Sequence, residues 1–337
     1  MTTLFSRIPK TVSLLLVFCL FIISFSLSIV LGKTPIPLEM AIDAFLNYDE
    51  TVTEHVIITT SRLSRAVIAT VIGASLAISG ALMQALTRNP LAAPDIFGVN
   101  AGALFFIVFA ATFFSMSSLV HYMWVGFLGA AVAGILVYVL GSIGRDGLSP
   151  IKIVLAGAAI TALFVSFTQG LLVISEQNLQ SILFWLAGSV AGRSVDMLLP
   201  ILPFMLGATV VAMFLGRAVN ILMSGEDVAK SLGQRTILTK IFIGIVIIFL
   251  AGGSVAIGGA IGFIGLIVPH MVRGLIGVDY RWVIPFCAFI GASLLLLADI
   301  AARFVIMPQE MPIGVMTAMI GTPFFIYIAR KGLTKSE

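Results

Sequence analysis

Long apolar runs joined by short polar connections limit this chain more than any other feature of its sequence. Only 10% of the 337 residues are charged, whereas a soluble domain carries about a quarter. Because so few charges cannot cover a surface that faces water, the chain must use lipid as its solvent. A membrane-crossing helix needs about 20 apolar residues, so the length allows roughly ten crossings and leaves no loop long enough for a soluble domain.

Ten apolar runs, each bounded by charged or turn-forming residues, predict an all-α polytopic membrane protein with a single transmembrane domain. The predicted spans are residues 11–31, 66–86, 96–115, 121–141, 151–174, 196–216, 237–256, 258–276, 282–302 and 312–329. The first run is longer than the apolar core of a signal peptide, about 7–15 residues, so we expect it to be retained as a helix.

The distribution of basic residues predicts the orientation. With ten spans and both termini in the cytoplasm, 14 of the 19 lysine and arginine residues lie on the cytoplasmic side and 5 lie outside. This bias agrees with the positive-inside rule. Only a glycine-rich stretch separates the seventh and eighth spans. Merging these two spans would weaken the bias of basic residues towards the cytoplasmic side.

Catalytic and metal-binding patterns are not found in the sequence. The three histidines are scattered, no carboxylate pair lies within a predicted span, and both cysteines lie in apolar runs. LGKT at 31–34 resembles the end of a phosphate-binding loop, but Leu27 stands where that loop requires its first glycine. We therefore expect no enzyme activity, no cofactor, no metal and no nucleic-acid partner.

The positions of the acidic residues argue against coupling to an ion gradient. Ion-driven transporters usually carry ionisable groups at mid-membrane. Asp299 is predicted near the outer end of its span and Asp95 at an inner boundary, so no carboxylate is expected near a span centre. Energy for any transport would then come from a partner protein.

The cytoplasmic segment NILMSGEDVAKSLGQRTILTK, residues 220–240, predicts a short helix over 225–232. Ser224 is a candidate cap, with Asp227 three residues later as in a capping box. Glu226 and Asp227 suit the positive end of a helix dipole, and Gly233 suits a left-handed helix end.

The apolar face of this helix indicates what it contacts. Met223, Val228 and Leu232 form a small apolar surface. A helix lying on lipid is one interpretation. Lipid-binding helices usually carry lysine and arginine on the polar face, whereas this one begins with two acids, which favours docking to a partner protein.

Five stretches resemble the FecCD-type permease subunits of ATP-binding-cassette (ABC) importers, which take up ferric siderophores, haem and vitamin B12. They are RLSRAVIATVIGASLAISGALMQALTRNPLAAPDIFGVNAGA at 62–103, FWLAGSV at 184–190, SGEDVAKSLGQ at 224–234, GGAIGFIGLIVPHMVRGLIGVDYRWVIP at 258–285 and LLLADIAARFVIMPQEMPIGVMTAMIGTPFFIYI at 295–328. The likeness is greatest to the iron–siderophore branch of Gram-positive bacteria.

The resemblance implies a type II ABC importer permease with ten helices in the cytoplasmic membrane of a bacterium. Such a subunit pairs with itself or with a paralogous permease. Two ATPase subunits bind on the cytoplasmic side, a substrate-binding (lipo)protein docks outside, and a ferric siderophore passes through. Haem or cobalamin as cargo is the first alternative, and an ion-driven secondary transporter is the second.

The resemblance also assigns roles to residues already noted. The helix at 225–232 becomes the coupling helix, which sits in a cleft of the ATPase. Its candidate contact residues are Ser224, Gly225, Glu226, Asp227, Leu232 and Gly233.

Three arginines at predicted outer helix ends match the docking arginines of the family. Arg62 and Arg65 are three residues apart, so they share one helix face, and Arg303 lies at the outer end of the ninth span. A planar guanidinium suits a carboxylate of the binding protein. The alternative is that these side chains reach lipid phosphates.

In the family, the translocation path is lined mainly by the fifth and tenth helices. The polar candidates on these helices are Thr161, Ser166, Thr168, Gln169, Thr317 and Thr322. All are neutral, as suits a path that must not retain its cargo. The alternative is that their hydroxyl groups bond to the backbone of their own helix.

The stretch GAIGFIGLIVPHMVRGLIG at 259–277 is apolar but rich in helix breakers. Its glycines, spaced by three or four residues, predict close helix–helix approach on one face. Pro269 predicts a kink near the inner end, and we expect Arg273 to reach the cytoplasm.

Overall fold

The computed structural model describes residues 9–114, 118–143, 149–174 and 187–333, and these residues form helices and their connections. The helices are α1 (Lys10–Val30), α2 (Leu38–Leu46), α3 (Thr53–Val56), α4 (Leu63–Thr87), α5 (Val99–Phe113), α6 (Leu119–Ser142), α7 (Pro150–Ile174), α8 (Val195–Leu198), α9 (Leu202–Met223), α10 (Glu226–Ser231), α11 (Thr236–Gly258), α12 (Ile264–Ile276), α13 (Tyr280–Phe304) and α14 (Ile313–Leu333). Away from its ends a helix pairs its backbone polar groups internally, as lipid requires. The all-α prediction is confirmed.

Seven helices of the described residues are long and apolar enough to cross a membrane. They are α1, the continuous α3–α4 unit, α6, α7, α9, α11 and α13. Within α3–α4 the residues Ile57–Arg62 form a π-helical turn, which widens the helix just before Leu63. The helices α5 and α12 and the stretch Ile313–Ile328 of α14 are apolar but shorter.

Two predicted spans differ from the observed helices. The sixth, predicted at 196–216, is split into α8 and α9. Pro200 disfavours a helical residue before it, and Pro203 suits the first turn of the new helix. The eighth, predicted from 258, begins only at Ile264, because Gly259 and Phe263 have positive φ and interrupt the helix.

Helix α4 lies at the centre of the fold, against α11, α12 and α13. Its crossings with two of these helices use glycine pairs. A methyl group built on Gly73 would lie 2.9 Å from the carbonyl carbon of Gly291 in α13, and one on Gly80 would lie 2.5 Å from that of Gly265 in α12. Because glycine has no side chain, the helix backbones approach closely at these two crossings.

A proline in α12 is compensated by a side chain of α4. Pro269 has no N–H, which removes the helical donor for the carbonyl of Gly265 four residues earlier. The buried amide of Gln84 donates to this carbonyl at 3.2 Å. Arg273 donates to the side-chain carbonyl oxygen of Gln84 at 2.5 Å, which links α12 back to α4.

A short helix, α2, follows α1 in the connection to α3. Its large apolar side chains, Leu38, Ile42, Phe45 and Leu46, are exposed, while Ala41 and Ala44 are buried. This pattern is typical of a helix that lies in a membrane interface.

Candidate functional site

The three arginines predicted at outer helix ends lie in one cluster, but each already has partners within the chain. Arg62 donates to the carbonyl oxygens of Ile29 at 3.1 Å and Val30 at 2.6 Å, and also to that of Thr34. The last carbonyls of a helix have no helical donor and carry partial negative charge. Arg62 therefore caps the end of α1.

Arg303 caps the same helix end from α13. It donates to the carbonyl oxygens of Ser28 at 2.7 Å and Leu31 at 2.5 Å. Arg62 and Arg303 are 5% and 3% exposed. The structure thus corrects the expectation that these two side chains are available to a partner: direct contact would require them to leave α1.

Arg65 is held by two carboxylates. It donates to both carboxylate oxygens of Asp299, at 2.8 and 3.0 Å, and to Glu310 at 2.6 Å. Asp299 is fully buried and also binds Arg303. Lys33 lies 3.4 Å from Glu310 at the exposed edge. We call Arg62, Arg65, Arg303, Asp299, Glu310 and Lys33 the outer arginine cluster.

The outer arginine cluster carries excess positive charge, since it has four basic groups and two acidic ones. Burial opposes ionisation of Glu310, but the hydrogen bond and charge of Arg65, with the charge of Lys33, outweigh it and hold the pKa of Glu310 below its usual range. Sequence reasoning missed both acids as partners. The four-residue spacing of Asp299 and Arg303 in one helix was the available signal.

The predicted coupling helix exists, but its start differs from the prediction. The helix α10 covers Glu226–Ser231, and its N-cap is Gly225, with φ of 121°. Ser224 instead ends α9, and its hydroxyl donates to Asn220 at 3.4 Å. The positive φ of Gly225 turns the chain so sharply that Ser224 cannot form the expected capping box.

The end of α10 is as predicted. Gly233 adopts φ of 78°. Its N–H donates to the carbonyl of Lys230, and that of Gln234 donates to the carbonyl of Ala229, both at 2.9 Å. These two bonds form a Schellman motif, which glycine makes possible.

Polar bonds anchor α10 to the membrane helices on both sides. Glu226 binds Lys240 of α11 at 2.8 Å, and Gln234 donates to the carbonyl of Ala218 at 2.8 Å. The bond from Lys240, with weaker contributions from its charge and from Lys230, lowers the pKa of Glu226. Glu226 therefore holds α10 in place and is not a free acid.

The outward face of α10 is apolar. Val228 is 48% exposed and Leu232 is 67% exposed, with Met223 at 42% beside them. Next to this face lies a recess of about 580 Å³, lined by residues that include Arg88, Asn220, Ser224, Arg273 and Asp279. An exposed apolar face with polar residues at its rim is typical of a protein-docking surface.

The six candidate pathway residues divide into two groups. Thr168 and Thr317 are buried, and their hydroxyl groups donate to Phe164 and Gly314 of their own helices, at 2.7 and 2.9 Å. These two cannot line an open path in this conformation. The others have accessible surface, with Ser166, Gln169 and Thr322 exposed and Thr161 half-buried.

Asp95 lies deeper than the sequence indicated. It belongs to a 3₁₀ turn, Pro94–Phe97, that packs against the first half of α7. A methyl group built on Gly157 would lie 2.9 Å from the carbonyl carbon of Ile96. Asp95 lies in the turn before α5 and not within a spanning helix, so the expectation that no span carries a carboxylate near its centre stays a prediction.

Comparison with known proteins gives a consistent family assignment. The model of the FecCD transport family matches residues 20–331. The probable siderophore transport system permease YfiZ of Bacillus subtilis is 55% identical over 90% of this chain and 91% of its own length. The Fe(3+)-citrate import permease YfmD of the same organism is 42% identical over 93% and 92%.

More distant relatives and a solved structure agree. The hemin permease of Yersinia pestis and the cobalamin permease of Halobacterium salinarum are each 36% identical. A solved inward-facing structure, assigned to the metal-chelate type of ABC transporter, is 31% identical, with a TM-score of 0.83, and covers 94% of this chain and 98% of its own.

Proposed function

The chain belongs to the FecCD transport family, and from this premise we propose that it is the permease subunit of an ABC importer that moves a ferric siderophore across the bacterial cytoplasmic membrane. Permeases of this family are not enzymes themselves. The high identity to a siderophore permease and the lower identity to haem and cobalamin permeases support the cargo. Haem or cobalamin on the same architecture remains the alternative.

The exposed apolar face of α10 is the observation that best supports an ATPase partner. Val228 and Leu232 project from a helix that Glu226 and Gln234 anchor to the membrane helices. A partner that covers this face would move α9 and α11 with it. The contact surface would comprise residues 224–233, with the neighbouring recess receiving part of the same partner.

We expect the outer arginine cluster to attract the acidic surface of a binding protein through its excess positive charge. Arg65 and Lys33 are its more accessible basic groups, at 11% and 36% side-chain exposure. Arg62 and Arg303 would act mainly by holding the end of α1. Steering by net charge does not require these buried side chains to leave their partners.

A second permease copy, identical or paralogous, would complete the path. The exposed polar groups of α7 and α14 support this arrangement, because Ser166, Gln169 and Thr322 would otherwise face lipid. In this arrangement α5, α12 and α14 cross together with the seven long helices, which gives ten spans and places both termini in the cytoplasm.

The proposal is tested by uptake into proteoliposomes that contain the permease with its ATPase and binding protein. Radiolabelled ferric siderophores, haem and cobalamin are supplied in turn. We expect ATP-dependent uptake of a ferric siderophore and none without ATP. Uptake of haem or cobalamin alone would support the alternative cargo, and uptake that persists without ATP but needs a proton gradient would refute the importer assignment.

A further inference from the structure

The depth of Asp95 follows from its neighbours on α7. The turn that holds it contacts Gly157, and a methyl group built on Gly98 would lie 3.3 Å from the Thr161 hydroxyl oxygen. These positions are seven and eleven residues beyond Pro150, the start of α7. At about 1.5 Å per residue they lie roughly 10–16 Å along a helix of roughly 37 Å. Asp95 is therefore well inside the membrane-spanning region.

Asp95 lines a small cavity whose other walls are mostly apolar. The cavity has a volume of about 220 Å³, and its polar lining side chains are Asp95, Asn100 and Thr161. Asn100 donates a hydrogen bond to the Asp95 carboxylate. Asp95 is exposed, and it forms no ion pair with any residue in the part of the chain that the structure describes.

An exposed carboxylate at this depth indicates that the cavity does not open to lipid. A charged side chain facing hydrocarbon costs about 2.5–3.5 kcal/mol or more, and such groups usually face a bundle interior or a water-filled cavity. The hydrogen bond from Asn100 and the start of α5 stabilise the negative charge, but neither covers it. The open side of the cavity should therefore meet water or cargo.

We propose that Asp95, with Asn100 and Thr161, forms a subsite on the translocation path that accepts cationic or hydrogen-bond-donating groups of the passing chelate. This inference rests on the proposed function. Whole drug-sized ligands occupy cavities of about 300–1,000 Å³, so the cavity fits a side group of the cargo, such as an ammonium, amide or hydroxyl group. The lone charge attracts this group without enclosing the chelate.

The test measures the charge selectivity of the cavity with two small thiol reagents, one cationic and one anionic methanethiosulfonate. Thr161→Cys is made in the full-length permease, reconstituted in nanodiscs, with Cys19 and Cys287 changed to serine. Each rate is divided by the rate of the same reagent with a free thiol in solution, because a thiolate itself favours the cationic reagent. We expect the cationic reagent to modify residue 161 roughly ten-fold faster than the anionic one on this scale, since Asp95 attracts one and repels the other. Asp95→Asn should bring this ratio close to one.

Two further variants keep the result interpretable. Asp95→Glu retains the charge and should retain the ratio, which separates an electrostatic role from a loss of structure. Ser166→Cys, farther along α7, should react with little dependence on residue 95. A ratio at residue 161 that Asp95→Asn leaves unchanged, or no reaction there while residue 166 reacts, would overturn the subsite.

The labelling result is independent of transport. If the wild-type importer takes up no ferric siderophore in proteoliposomes, the proposed function fails whatever the labelling shows. If uptake is normal and the charge selectivity is absent, only the subsite fails.

Discussion

The crossing of α4 and α12 should not tolerate a single added methyl group on Gly80. An alanine Cβ there would lie 2.5 Å from the carbonyl carbon of Gly265, whereas ordinary van der Waals contact begins at 3.4 Å. The carbonyl oxygen and Cα of Gly265 would lie closer still, so the two helices must separate by more than about 0.9 Å at this point. All of these atoms belong to backbone or to a rigid Cβ, so no side-chain rotation can relieve the contact.

The expected cost can be separated from the effect of alanine on the helix. Replacing a mid-helix glycine by alanine is worth about 1 kcal/mol in helix propensity, and overpacking costs about 1–3 kcal/mol. The close backbone contact places the overpacking cost of Gly80→Ala at the upper end of this range. After the gain in helix propensity is subtracted, the variant should destabilise the fold by roughly 1–2 kcal/mol. Gly274→Ala in α12 is the matched control, because a methyl group there meets nothing within 4 Å.

Thermal unfolding in detergent measures the difference. Cys287 is buried and Cys19 is exposed, so in a Cys19→Ser background a thiol-reactive dye reports the unfolding of α13. We expect the melting temperature to fall for Gly80→Ala and to stay level or rise for Gly274→Ala. Equal melting temperatures for the two variants would refute the argument that the glycine pair sets the spacing of α4 and α12.

Three other predictions concern the polar anchors. Lys240→Met should weaken the stimulation of ATPase activity in the assembled importer, because α10 loses its bond to α11. Lys230→Met removes the longer and more exposed ion pair with Glu226, so it should leave this stimulation nearly unchanged. Asp299→Asn removes the carboxylate that binds buried Arg303 and leaves Arg65 with Glu310 alone, so it should cost about 3–5 kcal/mol. The melting temperature should fall well below that of Asp227→Asn on exposed α10; equal melting temperatures would contradict the buried pairing. The lowered pKa of Glu226 predicts that the stabilisation of α10 by this carboxylate is complete above its ordinary pKa of about 4.5 and is lost as the pH falls further. Hydrogen exchange of Glu226–Ser231, corrected for intrinsic rates, should therefore show lower protection at pH 4 than at pH 7. Glu226→Gln should remove this difference.

The glycine-rich stretch 259–277 illustrates how far sequence reasoning reaches. Its spacing predicted a close helix approach, and Gly265 makes one, with Gly80. Gly259 and Gly277 have positive φ at helix ends, and a methyl group built on Gly262 or Gly274 would meet nothing within 4 Å. Composition alone cannot distinguish these roles, because each depends on which helix lies opposite.

The arginines show the same limit for charged groups. The short cytoplasmic helix and the shared helix face of Arg62 and Arg65 followed from sequence spacing, and the family resemblance added Arg303. The partners of these arginines could not be predicted, because the end of α1 and the loop that carries Glu310 are distant in the chain. Asp95 was placed at a membrane boundary because the sequence gives no sign that residues 88–98 turn back into the bundle beside α7.

Helix α4 joins the outer arginine cluster to the cytoplasmic recess. Arg65 lies near its outer end and Gln84 near its inner end, nineteen residues or roughly 28 Å apart. Because Gly80 is packed tightly on α12, a shift of the outer end should change the contact of Gln84 with Gly265. We therefore expect non-additivity between Arg65→Lys and Gln84→Leu in the stimulation of ATPase activity by the binding protein.

A double-mutant cycle decides whether this connection is real, because two sites that act independently give additive effects. Thr70→Ser, on the same helix but outside both polar networks, serves as the control partner for each variant. If the losses of the Arg65 and Gln84 variants add, as the losses with the control variant should, then α4 is only a spacer. The two docking surfaces would then communicate by another route.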